Sequence, residues 1–288
     1  MIGEAFAKRR IGEVIDGRYE LQRLLGVGMT GAVYEAHHKY THQRVAVKVM
    51  HQQLVSDDNA VARFLREAKS VAKIGHAAIV EVLDAGETQD RMPYVCLELL
   101  HGRSMGRILQ EQGRMAYEDV VAIGLDILSG LSAAHSVGIV HRDMKPDNVF
   151  VLEDASGGTR VKILDFGVAK NLQSTGASGV LTKPGATIGT PSYMSPEQAR
   201  AATIDERTDL WSTGALLFHA AAGRPPFAET SIPALLLKLV TSRPPALGEL
   251  CPDAPVRLQK AVDGALDPDL DRRFQTAADM AAVLGGRS

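Results

Sequence analysis

The spacing of apolar residues changes once along this chain, and that single change limits the folds open to it. Ahead of "YVCLELLHG" apolar residues alternate or run together with β-branched neighbours; behind it they recur at three- and four-residue steps. Stretches 18–25 ("RYELQRLL"), 32–38 ("AVYEAHH") and 44–50 ("RVAVKVM") read as three strands of an antiparallel sheet, separated by glycines or polar residues. One helix interrupts the strands: over 57–74, Val61, Phe64, Leu65, Ala68, Val71 and Ala72 recur on one face. Glu67 lies on that face, either reaching water at its edge or, if partly buried, in need of a cation. Strands return over 80–87 and 93–99. In the helical part, 117–138 is amphipathic, and "TDLWSTGALLFHAAAG" is apolar nearly all round, which predicts a helix at the buried centre of a second lobe. Prolines from Pro225 to Pro252 punctuate the short helices that follow. The expected architecture is α+β: a small β-rich lobe with one long helix, then a larger, mainly helical lobe.

With 288 residues the chain can bury the core of two such lobes. Its 32 basic and 34 acidic residues leave a net charge of -2, so bulk attraction to nucleic acid or an anionic membrane is not expected and any phosphate binding must be local. Cys96 and Cys251 lie far apart, without metal-site spacing, which favours a reduced, cytoplasmic setting. "MIGEAFAKRRIGEVIDGRYE" lacks the apolar run of a signal peptide, and "GALLFHAAAG" is too short to span a bilayer.

Short motifs carry the chemistry. "GVGMTG", Gly26 to Gly31, is a weak signal alone, because the same glycine spacing opens dinucleotide-binding folds. Such a fold needs a helix next; here the strand-like "AVYEA" follows, so a hairpin whose N–H groups approach phosphate oxygens is the better reading. Lys48 in "VAVKV" shares the face of Ala46, opposite Val45, Val47 and Val49, and either faces solvent or lies where Glu67 neutralises it. "HRDMKPDNVF", residues 141–150, packs charged, amide and proline side chains together and then turns apolar.

That stretch resembles the catalytic loop of Ser/Thr protein kinases. The glycine-rich loop, strand lysine and helix glutamate precede it in the family's order. "DFG" at 165–167, "SPE" at 195–197, "DLWSTG" from Asp209 and "RRFQT" from Arg272 follow, so the resemblance covers nearly the whole chain. Wording such as "GTPSYMSPEQAR" looks like the bacterial Hanks-type kinases. The resemblance implies a two-lobed protein kinase fold: an N-terminal extension 1–17, an N-lobe 18–99, a hinge 100–103 and a C-lobe 104–288. It implies transfer of the γ-phosphate of ATP, with Mg2+, to Ser/Thr hydroxyls of protein substrates. Asp143 would accept or orient the hydroxyl, Lys145 would stabilise charge on the transferring group, and Thr190 would hydrogen-bond both. Asn148 and Asp165 would hold magnesium. Lys48 would grip the α- and β-phosphates with Glu67 fixing its direction, beneath the backbone of Gly26, Val27, Gly28 and Gly31. The adenine would lie between the lobes, against the backbone of Glu98 and Leu100 and the apolar walls Leu25, Val33, Ala46, Leu97 and Phe150. His141 is expected under Phe166 as a structural residue rather than a base, and Glu197 and Arg273 as a buried ion pair.

Two rivals are weighed on the same residues. A pseudokinase would have lost Lys48, Asp143 or Asp165, and none is lost; "GTPSYMSPE" resembles a peptide-binding segment and argues against a small-molecule phosphotransferase. Departures from the bacterial pattern are Met29 where relatives usually carry a third glycine, as in G-x-G-G-M-G, "SPE" for "APE", and Pro184 in "LTKPG" where relatives often carry a second threonine. Regulation is expected through Thr182 as the main autophosphorylation site, with Thr187 behind it, the phosphate docking on Arg142 with help from Lys170 and the reaction passing through a transient homodimer.

Overall fold

The computed structural model describes residues 2–153, 158–166 and 191–286, with side chains from residue 4 onward. They form two compact units, Met1–Gly75 with Ile79–His101, and His76–Ala78 with Gly102–Ser288.

The first unit contains α1 (Ile2–Lys8), β1 (Val14–Ile15), β2 (Tyr19–Val27), β3 (Gly31–His38), β4 (Arg44–Met50), α2 (Asp58–Val71), β5 (Val82–Glu87) and β6 (Pro93–Glu98). Its strands make one antiparallel sheet in the order β1-β2-β3-β4-β6-β5. Alternation along β4 gives the sheet two apolar faces. Val45, Val47 and Val49 join Leu21, Tyr34, Tyr94 and Cys96 on one. On the other, Met50 and Val95 pack against Ala60, Phe64 and Ala68 of α2. The α2 helix starts where it does because the Asp57 carboxylate accepts from the N–H groups of Asn59 and Ala60, a cap worth about 1 kcal/mol. Cys96 is 1% exposed, and burial pushes its thiol up to about 11, so it acts as core.

The segment ahead of β2, read as an N-terminal extension, packs on the sheet of the first unit. Ala7 and Ile15 are buried in the sheet's core, β1 pairs with β2, and the Tyr34 hydroxyl donates to the Ala7 carbonyl at 3.0 Å. The sequence concealed this because β1 is two residues long, below what a two-residue period can register. The boundary between the units falls between His101 and Gly102, inside the segment read as a hinge. Residues 76–78 belong with the second unit, where the Ala78 carbonyl accepts from Ile163 N–H at 2.7 Å.

The second unit contains β7 (Gly102–Ser104), α3 (Met105–Gln112), α4 (Tyr117–Ser136), β8 (Val149–Leu152), β9 (Val161–Ile163), α5 (Pro196–Ala199), α6 (Arg207–Ala222), α7 (Ile232–Thr241), α8 (Leu247–Leu250), α9 (Val256–Ala265) and α10 (Ala277–Leu284). A small sheet, β7-β8-β9, lies beside the helices. The α6 helix is buried from Thr208 through Phe218, as its all-round apolar sequence predicts, and packs against α4 and α9. Gly214 permits that approach: a Cβ there would lie 2.7 Å from the Ala265 Cβ. Among the described residues no helix is long and apolar enough to cross a membrane.

Candidate active site

The loop between α4 and β8 is held in a conformation that its own residues do not favour. Arg142 has φ 63, and a left-handed backbone costs a non-glycine residue roughly 1–2 kcal/mol. Asp209, fully buried on α6, offsets this. Its two carboxylate oxygens accept from the N–H groups of His141 and Arg142, each at 2.8 Å, and His135 Nε2 lies 2.8 Å from it. Hydrogen bonds to a charged acceptor are the strong kind, so the strained turn is over-determined. The Arg142 carbonyl is taken in turn by Gln198 Nε2 at 2.8 Å. Gln198 belongs to a capping box with Ser195 at the start of α5, which ties this loop to the "SPE" helix.

Asp143 projects from that support, half-buried. Lys145 Nζ donates to its Oδ2 at 2.9 Å, and Asn148 Nδ2 donates to its backbone carbonyl at 2.8 Å. Pro146 opens the 3-10 turn Pro146–Asn148, its fixed φ suiting the first position. Because Asn148 spends its NH2 on Asp143, its Oδ1 is the atom that can serve as a cation ligand. Asp165 is exposed, with φ 46, two residues past Ile163 at the end of β9. Among the described residues no group of three His, Cys, Asp or Glu could hold a metal unaided. An amide oxygen and one carboxylate suit magnesium, which takes few protein ligands and completes its shell with phosphate oxygens and water.

His141 is excluded from proton transfer by its partners. It is fully buried with its ring 4.6 Å from that of Phe166; Nε2 donates to the Leu164 carbonyl at 2.9 Å and Nδ1 accepts from Asp143 N–H at 3.2 Å. Burial holds its pKa below the ordinary histidine value. Both nitrogens are thus committed to the backbone of the loop and of the strand leading to Asp165.

In the first unit, "GVGMTG" forms a hairpin: β2 ends at Val27, β3 begins at Gly31, and Gly28 N–H donates to the Gly31 carbonyl at 2.8 Å. Gly31 is required sterically, since a Cβ would meet the Val49 carbonyl oxygen at 2.2 Å. A Cβ at Gly26 would meet nothing within 4 Å, so the ribbon lies open there, and Met29 at the tip is 93% exposed. Leu25 and Val27 are exposed, Val33 is half-buried and Ala46 buried. The register pairs Lys48 with Val33 on one side and Val95 on the other, placing it on the sheet face that α2 covers. Glu67 is half-buried on α2, between Phe64 and Ala68 in the helix row that meets that face. Leu97 and Glu98 end β6 and Leu100 follows, all half-buried; Glu98 N–H donates to the Glu81 carbonyl at 3.1 Å. Phe150 sits half-buried on β8.

Glu197 and Arg273 form the expected pair, at 2.8 and 3.2 Å, with both side chains buried. Thr182, Thr187 and Thr190, with Lys170 and Gly167, lie outside the described residues. Sequence reasoning gave Asp209 no task, although a carboxylate inside an all-apolar helix must find donors. It passed over Gln198 and His51 as well, whose contacts depend on residues distant in the chain.

The sequence profile of the protein kinase domain matches residues 19–245. The serine/threonine-protein kinase Pkn3 of Myxococcus xanthus is 37% identical over 244 residues, covering 85% of this chain and 45% of its own length. The serine/threonine-protein kinase PknB of Mycolicibacterium smegmatis is 37% identical over 273 residues, covering 94% and 43%. The chain spans less than half the length of these curated relatives. The crystal structure of the M. tuberculosis PknI kinase domain aligns with a TM-score of 0.72 and 26% identity, over 96% of this chain and 98% of that one.

Proposed function

The chain belongs to the protein kinase family as a bacterial Hanks-type catalytic domain, and from that premise we propose that it transfers the γ-phosphate of ATP to serine and threonine hydroxyls of proteins. The observation that carries the reading is the setting of Asp143: a carboxylate with an ammonium 2.9 Å away, on a strained loop fixed by a buried aspartate. Phosphoryl transfer asks the protein chiefly to align groups and place charge. Asp143 accepts the proton of the attacking hydroxyl, while Lys145 shifts toward the oxygens of the group in transit. Asn148 and Asp165 hold magnesium, which supplies positive charge beside those oxygens when bound. Lys48, oriented by Glu67, holds the α- and β-phosphates under Gly26, Val27, Gly28 and Gly31. Leu25, Val33, Ala46 and Leu97 of the first unit offer the adenine an apolar surface, and the backbone of Glu98 and Leu100 reads its edge.

Thr190 fits a role beside Asp143 and Lys145 at the peptide site. Thr182 is the preferred autophosphorylation site over Thr187, with Arg142 receiving the phosphate and a second copy of the chain acting as transient partner. A cytoplasmic setting agrees with the ATP requirement. Radiolabelled ATP offered with a generic protein and an aminoglycoside tests the reaction class. Label on protein serine and threonine is the expected result; label on the aminoglycoside instead refutes it. Mass spectrometry before and after ATP treatment tests the ranking, which fails if Thr187 carries phosphate and Thr182 does not.

A further inference from the structure

His51 follows the last residue of β4 and touches the glycine hairpin twice. Its backbone N–H donates to the Thr30 carbonyl at 3.0 Å, and its Nε2 lies 2.8 Å from the Gly28 carbonyl oxygen. A carbonyl only accepts, so Nε2 carries the proton and donates. The pair of bonds that would close a tight turn between Gly28 and Gly31 is therefore half made: Gly28 N–H reaches the Gly31 carbonyl at 2.8 Å, while the Gly28 carbonyl is drawn to the imidazole instead.

The consequence follows from peptide geometry. In a planar trans peptide the carbonyl and the next N–H point in opposite directions. Fixing the Gly28 and Thr30 carbonyls on His51 therefore turns the N–H groups of Met29 and Gly31 the other way. Two amides one residue apart, directed to one side, form the kind of concavity that attracts phosphate oxygens. The hairpin cannot settle by sliding toward β4, because Gly31 already lies where even a Cβ would strike the Val49 carbonyl.

We propose that His51 is a positioning residue for phosphate binding: it holds the carbonyls of the glycine hairpin so that the Met29 and Gly31 amides face the ATP phosphates. The inference rests on the reading that this hairpin meets ATP. A turn stabiliser without that role would affect every nucleoside ligand alike. Calorimetry on wild type, His51→Leu and His51→Gln, with magnesium ATP and with adenosine, separates the cases. The glutamine amide can replace the Nε2 donor; leucine cannot.

The expected result is that His51→Leu loses about tenfold in ATP affinity, the scale of one hydrogen-bonded contact network. Adenosine affinity stays within about twofold of wild type, and His51→Gln recovers most of the ATP loss. Unchanged ATP binding in His51→Leu, or parallel loss of ATP and adenosine, overturns the inference while leaving the kinase reading intact. Wild type binding ATP no more tightly than adenosine overturns the underlying reading and the inference together. If His51→Leu does not fold, His51→Gln decides alone: a wild-type ratio of ATP to adenosine affinity supports the proposal, and a collapsed ratio with unchanged adenosine binding contradicts the donor role.

Discussion

Replacing Arg273 by alanine should destabilise the second unit and silence the enzyme together. The guanidinium is fully buried; it makes two bonds to the Glu197 carboxylate and donates to the Asp267 and Arg207 carbonyls at 3.1 and 2.9 Å. Its Cζ also lies 5.0 Å from the centre of the Trp211 ring. Truncation leaves Glu197, 5% exposed, as a buried carboxylate without its cation, strips two carbonyls of a donor, and opens a cavity beside the indole. Breaking a buried pair from one side typically costs about 3–5 kcal/mol. For a protein of this size, that corresponds to a melting temperature lower by on the order of 10 °C. Glu197 lies in the first turn of the helix whose capping glutamine holds the Arg142 carbonyl, so the damage should reach the catalytic loop. Thermal melts of Arg273→Ala, Glu197→Leu and the double variant provide the measurement, with phosphate transfer assayed in parallel. The double variant should lose less than the sum of the singles, because neither charge is then left alone. A melting temperature for Arg273→Ala within about 1 °C of wild type, or strictly additive losses, would refute the reasoning.

Asp209→Ala removes the acceptor that stabilises the left-handed Arg142. Turnover should fall by roughly 100-fold, equivalent to about 3 kcal/mol, while calorimetry shows ATP affinity retained; equal losses in both would contradict the assignment. Lys48→Met and Glu67→Gln should each depress turnover and keep adenosine affinity, and near-wild-type autophosphorylation in either would reject their roles. Acidification should cost stability from about pH 6.5 downward. His219, whose Nδ1 lies 2.6 Å from the Tyr193 hydroxyl, is held below its ordinary value of 6.5 by burial, as is His141. The unfolded chain therefore binds protons there that the folded chain refuses, and stability declines as pH falls. Denaturant titrations at pH 7 and pH 5 should show a smaller decline for His219→Gln than for wild type; equal declines would remove His219 from the explanation.

How much of this was legible in the sequence depended on whether a feature was periodic. The bounds of β4 follow from a run of β-branched residues, and α6 from a segment apolar on every side with Gly223 to end it in a left-handed cap. Motif spacing located Asp143, Lys145 and Asn148, which lie in one loop and need no tertiary information to be brought together. What stayed hidden was either too short or held by distant residues. Two-residue β1, and an α1 in which Ala7 alone is buried among the described side chains, left 1–17 looking like a tail. The work of Asp209 depends on amides 67 and 68 positions earlier, and that of His51 on a carbonyl 23 positions earlier. Such contacts are set by packing, and no local pattern announces them.

The central claim is that Asp143, held by Asp209 and flanked by Lys145 and Asn148, performs the chemical step rather than the binding of ATP. A single-turnover phosphate transfer to a serine- or threonine-bearing protein, with wild type and Asp143→Asn both saturated with magnesium ATP, tests it most directly. Wild type should transfer label to the hydroxyl, and Asp143→Asn should bind ATP equally well yet transfer at least 100-fold more slowly, a barrier higher by about 2.7 kcal/mol. Comparable transfer rates at equal occupancy would contradict the account.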